Sequence, residues 1–189
     1  MKIAFVIYDN LTLLDFAGVY DPLTRLKTMG FVLGLSYDIC ARTEGVRSSE
    51  GARLAVDRVA PDLAEYDYVI IPGGDGIQPL MKDPAFLRWI AVASGKTTVT
   101  ALCGGSLLLG AAGMLKGKRA TTHPQLAGFL KHFAGEVVPD RIVDEGNIIT
   151  AGGVTSSIDL GLYLCEKIAG PDVREKIAAQ MDYHCYRTV

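Results

Sequence analysis

The sequence predicts an α/β fold: a mostly parallel sheet with helices on both faces. Three observations carry that reading. Apolar, β-type runs alternate with segments of helical spacing, and such alternation builds a parallel sheet covered on both sides. The run from Thr97 to Leu102 is apolar and β-branched, as a strand buried on both faces should be. Three runs end on glycine pairs rather than generic turns, at Pro72-Gly73-Gly74, Cys103-Gly104-Gly105-Ser106 and Ala151-Gly152-Gly153.

Taken in order, Ile3 to Tyr8 reads as the first strand, closed by a turn at Asp9-Asn10. Leu13, Phe16, Ala17 and Tyr20 recur at helical spacing, and Pro22 is expected to break or kink that helix. Leu33 to Ala41 reads as a second strand centred on Tyr37-Asp38-Ile39-Cys40, and Arg53 to Asp57 as a short one. Tyr66 to Ile71 is a strand that stops at Pro72. Pro84 to Ala93 is helical, with proline at a first-turn position where its missing N–H is no loss. Leu107 to Leu115 is apolar on every side, which describes a helix buried in mid-domain. Arg119 to Thr122 reads as a short strand and Pro124 to Phe133 as a helix. Arg141-Ile142-Val143, the turn Glu145-Gly146-Asn147 and Ile148-Ile149-Thr150 spell a hairpin. Val154, Ile158, Leu162, Cys165 and Ala169 give the apolar stripe of a long helix. Pro171 opens a last helix, which loses its register by about Tyr183.

The chain has 189 residues, 49% hydrophobic and 21% charged, so one domain over residues 1–189 is expected. A net charge of −2 gives no long-range pull toward nucleic acid or an anionic membrane. Lys116, Lys118 and Arg119 form the one basic cluster, read as a solvated turn. No apolar run reaches membrane-spanning length, and the first ten residues are too short for a signal peptide, so a cytoplasmic location is expected. Cys40, Cys103, Cys165 and Cys185 are widely spaced with no C-x-x-C, which argues against a zinc site or a disulfide framework. No metal and no cofactor is expected. Glycine is the outlier, at 21 of 189 residues against roughly 7% on average. Gly18, Gly73, Gly74, Gly76, Gly104, Gly105, Gly152 and Gly153 fall in motifs that converge on one site.

Ligands of open parallel sheets bind beyond the carboxyl ends of the strands. Cys103 sits there, between a buried strand and a helix start, in the arrangement of a nucleophile elbow without its usual G-x-S-x-G flanks. Two roles fit it: a nucleophile, or a buried small apolar residue. As a nucleophile its pKa should fall in the field of the helix N-terminus. The N–H of Gly104, with one from Gly73 or Gly74, would hold a developing oxyanion. Asp15 is either a helix N-cap or an acid beside that thiol. His123 would polarise a substrate or satisfy a turn. His132 and His184 are read as surface residues and Cys165 as core. The Gly73-Gly74-Asp75-Gly76 loop lacks the lysine and the glycine spacing of a phosphate loop.

These motifs resemble the ThiJ/PfpI superfamily, nearly end to end. The likeness lies in Leu14-Asp15-Phe16-Ala17-Gly18, Ile71-Pro72-Gly73-Gly74, Cys103-Gly104-Gly105-Ser106 with Leu109-Gly110-Ala111-Ala112-Gly113-Met114-Leu115, Gly117-Lys118-Arg119-Ala120-Thr121-Thr122-His123, and the run from Ile149 to Asp159. Within the superfamily the chain is most similar to the isocyanide hydratase branch, which shares its core with the ligand-binding domain of certain AraC-type regulators. The resemblance implies a flavodoxin-like three-layer sandwich, a homodimer, a small-molecule substrate, and Cys103 as nucleophile beside an essential Asp15. Deglycase and glyoxalase-like branches carry glutamate where this chain has Asp15, which tilts the expectation toward a hydratase. Two departures stand out. Hydratases commonly have threonine after the nucleophile and PfpI-type peptidases have histidine; this chain has Gly104. Few residues follow Tyr183, so no helix-turn-helix module is expected. The alternatives are a carbonyl enzyme of the glyoxalase III or deglycase type, and a non-catalytic ligand or redox sensor acting through Cys103.

Overall fold

The computed structural model describes residues 1–93 and 95–184. Continuous apolar runs give the central strands, because a strand covered on both faces must be apolar at every position. In chain order the elements are β1 (Lys2–Val6), α1 (Leu13–Thr28), β2 (Ser36–Ala41), β3 (Gly45–Arg47), β4 (Arg53–Ala55), β5 (Arg58–Val59), β6 (Tyr68–Ile71), α2 (Ile77–Leu80) and α3 (Pro84–Ala91). Then come β7 (Thr98–Leu102), α4 (Gly105–Ala111), β8 (Arg119–Ala120), α5 (Ala127–Leu130), β9 (Glu136–Val137), β10 (Ile142–Asp144), β11 (Ile148–Ala151), α6 (Ser156–Ala169) and α7 (Pro171–Gln180).

Seven strands form one sheet in the order β10-β11-β7-β6-β1-β2-β5. Every pairing is parallel except the β10–β11 hairpin at one edge. The chain is thus α/β and flavodoxin-like. From β1 to β2 the chain moves toward one edge; from β6 to β7 and on to β11 it moves toward the other. Right-handed crossovers in opposite directions put their helices on opposite faces. Accordingly α1, α6 and α7 pack together as one layer, and α4 gathers α2, α3 and α5 as the other. The reversal falls between β1 and β6, and it opens the crevice in which open sheets bind ligands.

The structure corrects several expectations. Pro22 neither breaks nor ends α1, which runs on to Thr28. Its ring lies against α6, where a Cβ at Gly161 would be 2.8 Å from Pro22 Cγ. A turn earlier, a Cβ at Gly18 would overlap Ser157 Oγ. Gly18 therefore serves the close α1–α6 crossing and not the site. That crossing also sets the buried face of α6, which is Ser156, Ser157, Leu160, Gly161, Leu162, Leu164 and Cys165; Ile158 and Ala169 are only half-buried. Leu33 is 80% exposed and precedes β2 rather than forming part of it. The expected helix from Pro124 to Phe133 is a 3-10 turn, Pro124–Leu126, followed by the short α5. The strands β3, β5 and β9 and the helix α2 have no counterpart among the expected elements. Cys185 lies outside the described residues.

Candidate active site

Three loops meet at the carboxyl ends of β1, β6 and β7. Backbone hydrogen bonds stitch the first two together: Thr12 N–H donates to Gly73 O at 2.9 Å, and Gly76 N–H to Asn10 O at 3.1 Å. Gly74 sits at φ 132°, a left-handed conformation natural only to glycine, and a Cβ there would overlap Asn10 O. Gly73 is the point of convergence. A Cβ on it would lie 2.5 Å from Gly104 N, 2.8 Å from Asp15 Oδ2 and 2.9 Å from Cys103 Cβ. Only a residue without a side chain lets these three groups meet.

Cys103 follows β7 directly, at φ 52°, a left-handed conformation that strains any residue with a Cβ. The strain is held by fixed partners. The Cys103 N–H is shared between Ala151 O at 3.0 Å and Gly152 O at 2.9 Å. Thr122 Oγ1 donates to Cys103 O at 2.6 Å. The geometry is that of a nucleophile elbow, with the side chain 8% exposed at the start of α4.

Asp15 is fully buried on α1. It does not cap the helix; the N-cap is Thr12, and Asp15 lies in the first turn, its carboxyl under the β6 loop. Its Oδ2 accepts the Gly73 N–H at 2.9 Å, and its Oδ1 has no hydrogen-bond partner. Burial pushes its carboxyl up to about 7, while the Gly73 N–H and the adjacent Cys103 thiol favour the ionised form. The carboxyl and the thiol act on each other by charge and by hydrogen bonding. Two corrections follow. The Cys103 thiol does not fall in pKa: burial first, then the Asp15 charge, push it up to about 12, against the Gly104 N–H that faces the sulfur. A seven-residue helix end is outweighed by the thiol's own burial and, second, by its carboxylate neighbour. In addition, the Gly73 N–H is already committed to Asp15. The donors left for a developing anion are those of Gly74, which has no protein acceptor, and Gly104.

The thiol opens into a cleft of about 240 Å³ lined by Gly74, Ile77, Gly104, His123, Leu126 and Val154, among others. His123 satisfies the turn that follows it and also lines the cleft. Its Nδ1 accepts the Gln125 N–H at 3.3 Å, and the ring packs against Gly153, where a Cβ would be 2.9 Å from Cδ2. With Nδ1 accepting, a neutral ring carries its proton on Nε2. Asp15 and Gly73 meet Cys103 at the base of this cleft, where a Cβ on Gly73 would touch both side chains. Among the other glycines, Gly76 and Gly105 make close backbone contacts at the loop base, and His132 and His184 are exposed. Cys40 and Cys165 are buried elsewhere in the core. Among the described residues no group of three His, Cys, Asp or Glu could hold a metal, and no helix is long and apolar enough to cross a membrane.

Sequence reasoning missed Thr122, Tyr8, Ile77 and Leu126. Tyr8 O–H donates to Pro72 O at 2.6 Å and props the β6 loop from below. Thr122 stood in a quoted motif, directly before His123, and that was its only signal.

A sequence model of the DJ-1/PfpI family matches residues 1–167. The chain is 36% identical over 184 residues to the isonitrile hydratase of Pseudomonas putida, covering 97% of this chain and 78% of that protein. It is 27% identical over 189 residues to the HTH-type transcriptional regulator GbdR of Pseudomonas aeruginosa, covering 98% of this chain and 52% of the regulator. Among solved structures, a THiJ/PfpI family protein from Pseudomonas syringae matches with a TM-score of 0.86 at 28% identity, covering 100% of this chain and 77% of that one.

Proposed function

The chain belongs to the DJ-1/PfpI family, and from that premise we propose that it is a cysteine-dependent hydratase that converts an isocyanide and water to an N-substituted formamide. One observation carries the reading: a strained thiol stands beside a fully buried carboxyl with an unpartnered oxygen. Burial holds the thiol in its protonated form at neutral pH and pushes the Asp15 carboxyl up to about 7, within reach of both its forms. Attack therefore needs a proton acceptor, and Asp15 is the one in place.

Asp15 takes the Cys103 proton as the sulfur bonds to the terminal carbon of R–N≡C, then delivers it to that carbon. The product is a thioimidate, R–N=CH–S–Cys. The regenerated carboxylate takes a proton from water as the water oxygen adds to the same carbon, and passes that proton on to the substrate nitrogen, which leaves Asp15 ionised again. The tetrahedral R–NH–CH(OH)–S–Cys collapses: the C–S bond breaks, the hydroxyl proton returns to sulfur, and R–NH–CHO leaves. The N–H groups of Gly74 and Gly104 stabilise the charge that develops in the cleft. His123 offers Nε2–H to the substrate on the opposite wall.

The test is formamide production from a simple alkyl isocyanide, followed by NMR, in the wild type and in Cys103→Ala. Turnover by the wild type and none by folded Cys103→Ala is expected. Undiminished turnover in Cys103→Ala sinks the proposal. A second reading, a sensor acting through ligand binding or Cys103 oxidation, draws on the likeness to the regulator. The high pKa of the thiol counts against its redox form, because the thiolate is the species that peroxide oxidises.

A further inference from the structure

The cleft over Cys103 does not end at its own walls. Ile77, Gln78 and Leu126 line it and also line a second, adjoining groove of about 520 Å³. The rest of that groove is Met81, Lys82, Leu107, Phe129, His132 and Phe133. It runs between α2 and α5 over the side of α4, the helix that starts behind the thiol. Its lining is mainly apolar, and Phe129 is 62% exposed, an unusual placement for a phenylalanine. Phe133 is seated by Gly110 of α4, where a Cβ would be 2.6 Å from Phe133 Cβ. The groove is thus built into the packing of α4.

Gly104 ties the groove to the thiol. Its φ of −63° is ordinary, so backbone conformation does not demand glycine there. Space does. A Cβ would lie 2.8 Å from Ile77 Cδ1 and 3.4 Å from Leu126 Cδ1. These two side chains occupy the volume that a residue after the nucleophile would otherwise fill, and they pave the junction of cleft and groove with methyl groups.

We propose that the groove binds an extended apolar substituent of the substrate, and that Ile77 and Leu126 are specificity-determining residues at its mouth. The inference rests on reading Cys103 as a site for small electrophiles, but not on which electrophile reacts. The substrate class is a small electrophile that bears, through the atom next to its reacting carbon, an alkyl chain or aryl group several atoms long. Pockets of this size and polarity suit such groups.

The test labels Cys103 with N-alkyl iodoacetamides of one to eight carbons, a reaction that forms a thioether and releases iodide. Peptide mass spectrometry assigns the site, and labelling rate against reagent concentration gives apparent affinity. The wild type should bind more tightly by about two- to fourfold per methylene over the part of the chain that lies in the groove. Phe129→Asp should flatten that dependence, and Leu126→Ala should weaken it, with thermal melts confirming that both fold. Rates independent of chain length in the wild type overturn the proposal, as does a dependence that survives intact in both variants. A flat wild-type series together with a dimer that Phe129→Asp dissociates would assign the groove to a second copy of the chain, and also overturns it. Should the wild type hydrate no isocyanide and still show the chain-length dependence, the groove stands and the reading of the reaction falls.

Discussion

Asp15→Asn is expected to make the protein more stable at pH 8 while abolishing turnover. The perturbation is small: asparagine keeps a carbonyl oxygen to accept the Gly73 N–H at the same place and removes only the buried charge. The magnitude follows from linkage. In the unfolded chain the Asp15 carboxyl titrates near 3.8, and in the native structure near 7. Between those values the native state binds the proton more tightly, so this group's contribution to stability falls as pH rises through that window. Above pH 7 the loss is complete, at about 4 kcal/mol for a rise of this size. Local relaxation of a buried site reduces it, so about 2–4 kcal/mol is expected. For a chain of this length each kcal/mol moves Tm by about 2–4 °C. The assay is thermal or urea unfolding of both proteins at pH 4 and pH 8. Asp15→Asn should melt roughly 5–15 °C higher at pH 8, with the gap closing toward pH 4. A variant less stable at pH 8, or a gap that does not shrink in acid, would refute the assignment of a buried, strained charge.

Three further outcomes follow from the same geometry. Because ionised Asp15 must accept the thiol proton, kcat/KM should rise with pH through about 7 and then level off, short of the thiol's own ionisation near 12; a profile that is flat or falls between pH 5 and 9 contradicts this. The positive φ at Cys103 predicts that Cys103→Gly is more stable than Cys103→Ala by about 1 kcal/mol in urea unfolding, since only glycine is at ease there; equal midpoints would show an unstrained elbow. Gly104→Thr, which drives a side chain into Ile77, should cost about 1–3 kcal/mol, and Ile77→Ala in the same chain should recover part of it. Strictly additive effects in that double variant would mean that the two residues do not compete for space.

The parts of the fold that could be read from sequence are those where burial dictates composition. Strands β1, β6, β7 and β11 lie in the middle of the sheet and are apolar almost throughout, so their runs and terminal glycines stood out. Strands β3, β5 and β9 are two or three residues long and partly exposed, too short for any periodicity to register. Pro22 does not break its helix because the rule for helix interiors is local, whereas α1 is held by its crossing with α6 through Gly18, Ser157 and Gly161. The same contrast holds at the site. Cys103 and Asp15 could be singled out because each is a reactive residue type just past a strand end. Ile77 and Leu126 could not, because an isoleucine in a four-residue helix looks like any core residue until its neighbour is seen to be a bare glycine. The Cys103 pKa ran opposite to expectation because sequence shows the helix start but neither the burial of the thiol nor the carboxylate folded in from α1.

The most direct test of the account is the turnover of an isocyanide by Asp15→Asn, measured under conditions where its unfolding curve shows it fully folded. Asp15 acting as the proton carrier predicts a fall in kcat of about 10²–10⁴-fold, with Cys103 still present and the stability gain at pH 8 intact. Wild-type turnover by that variant would contradict the account, because the thiol would then be losing its proton to some other group.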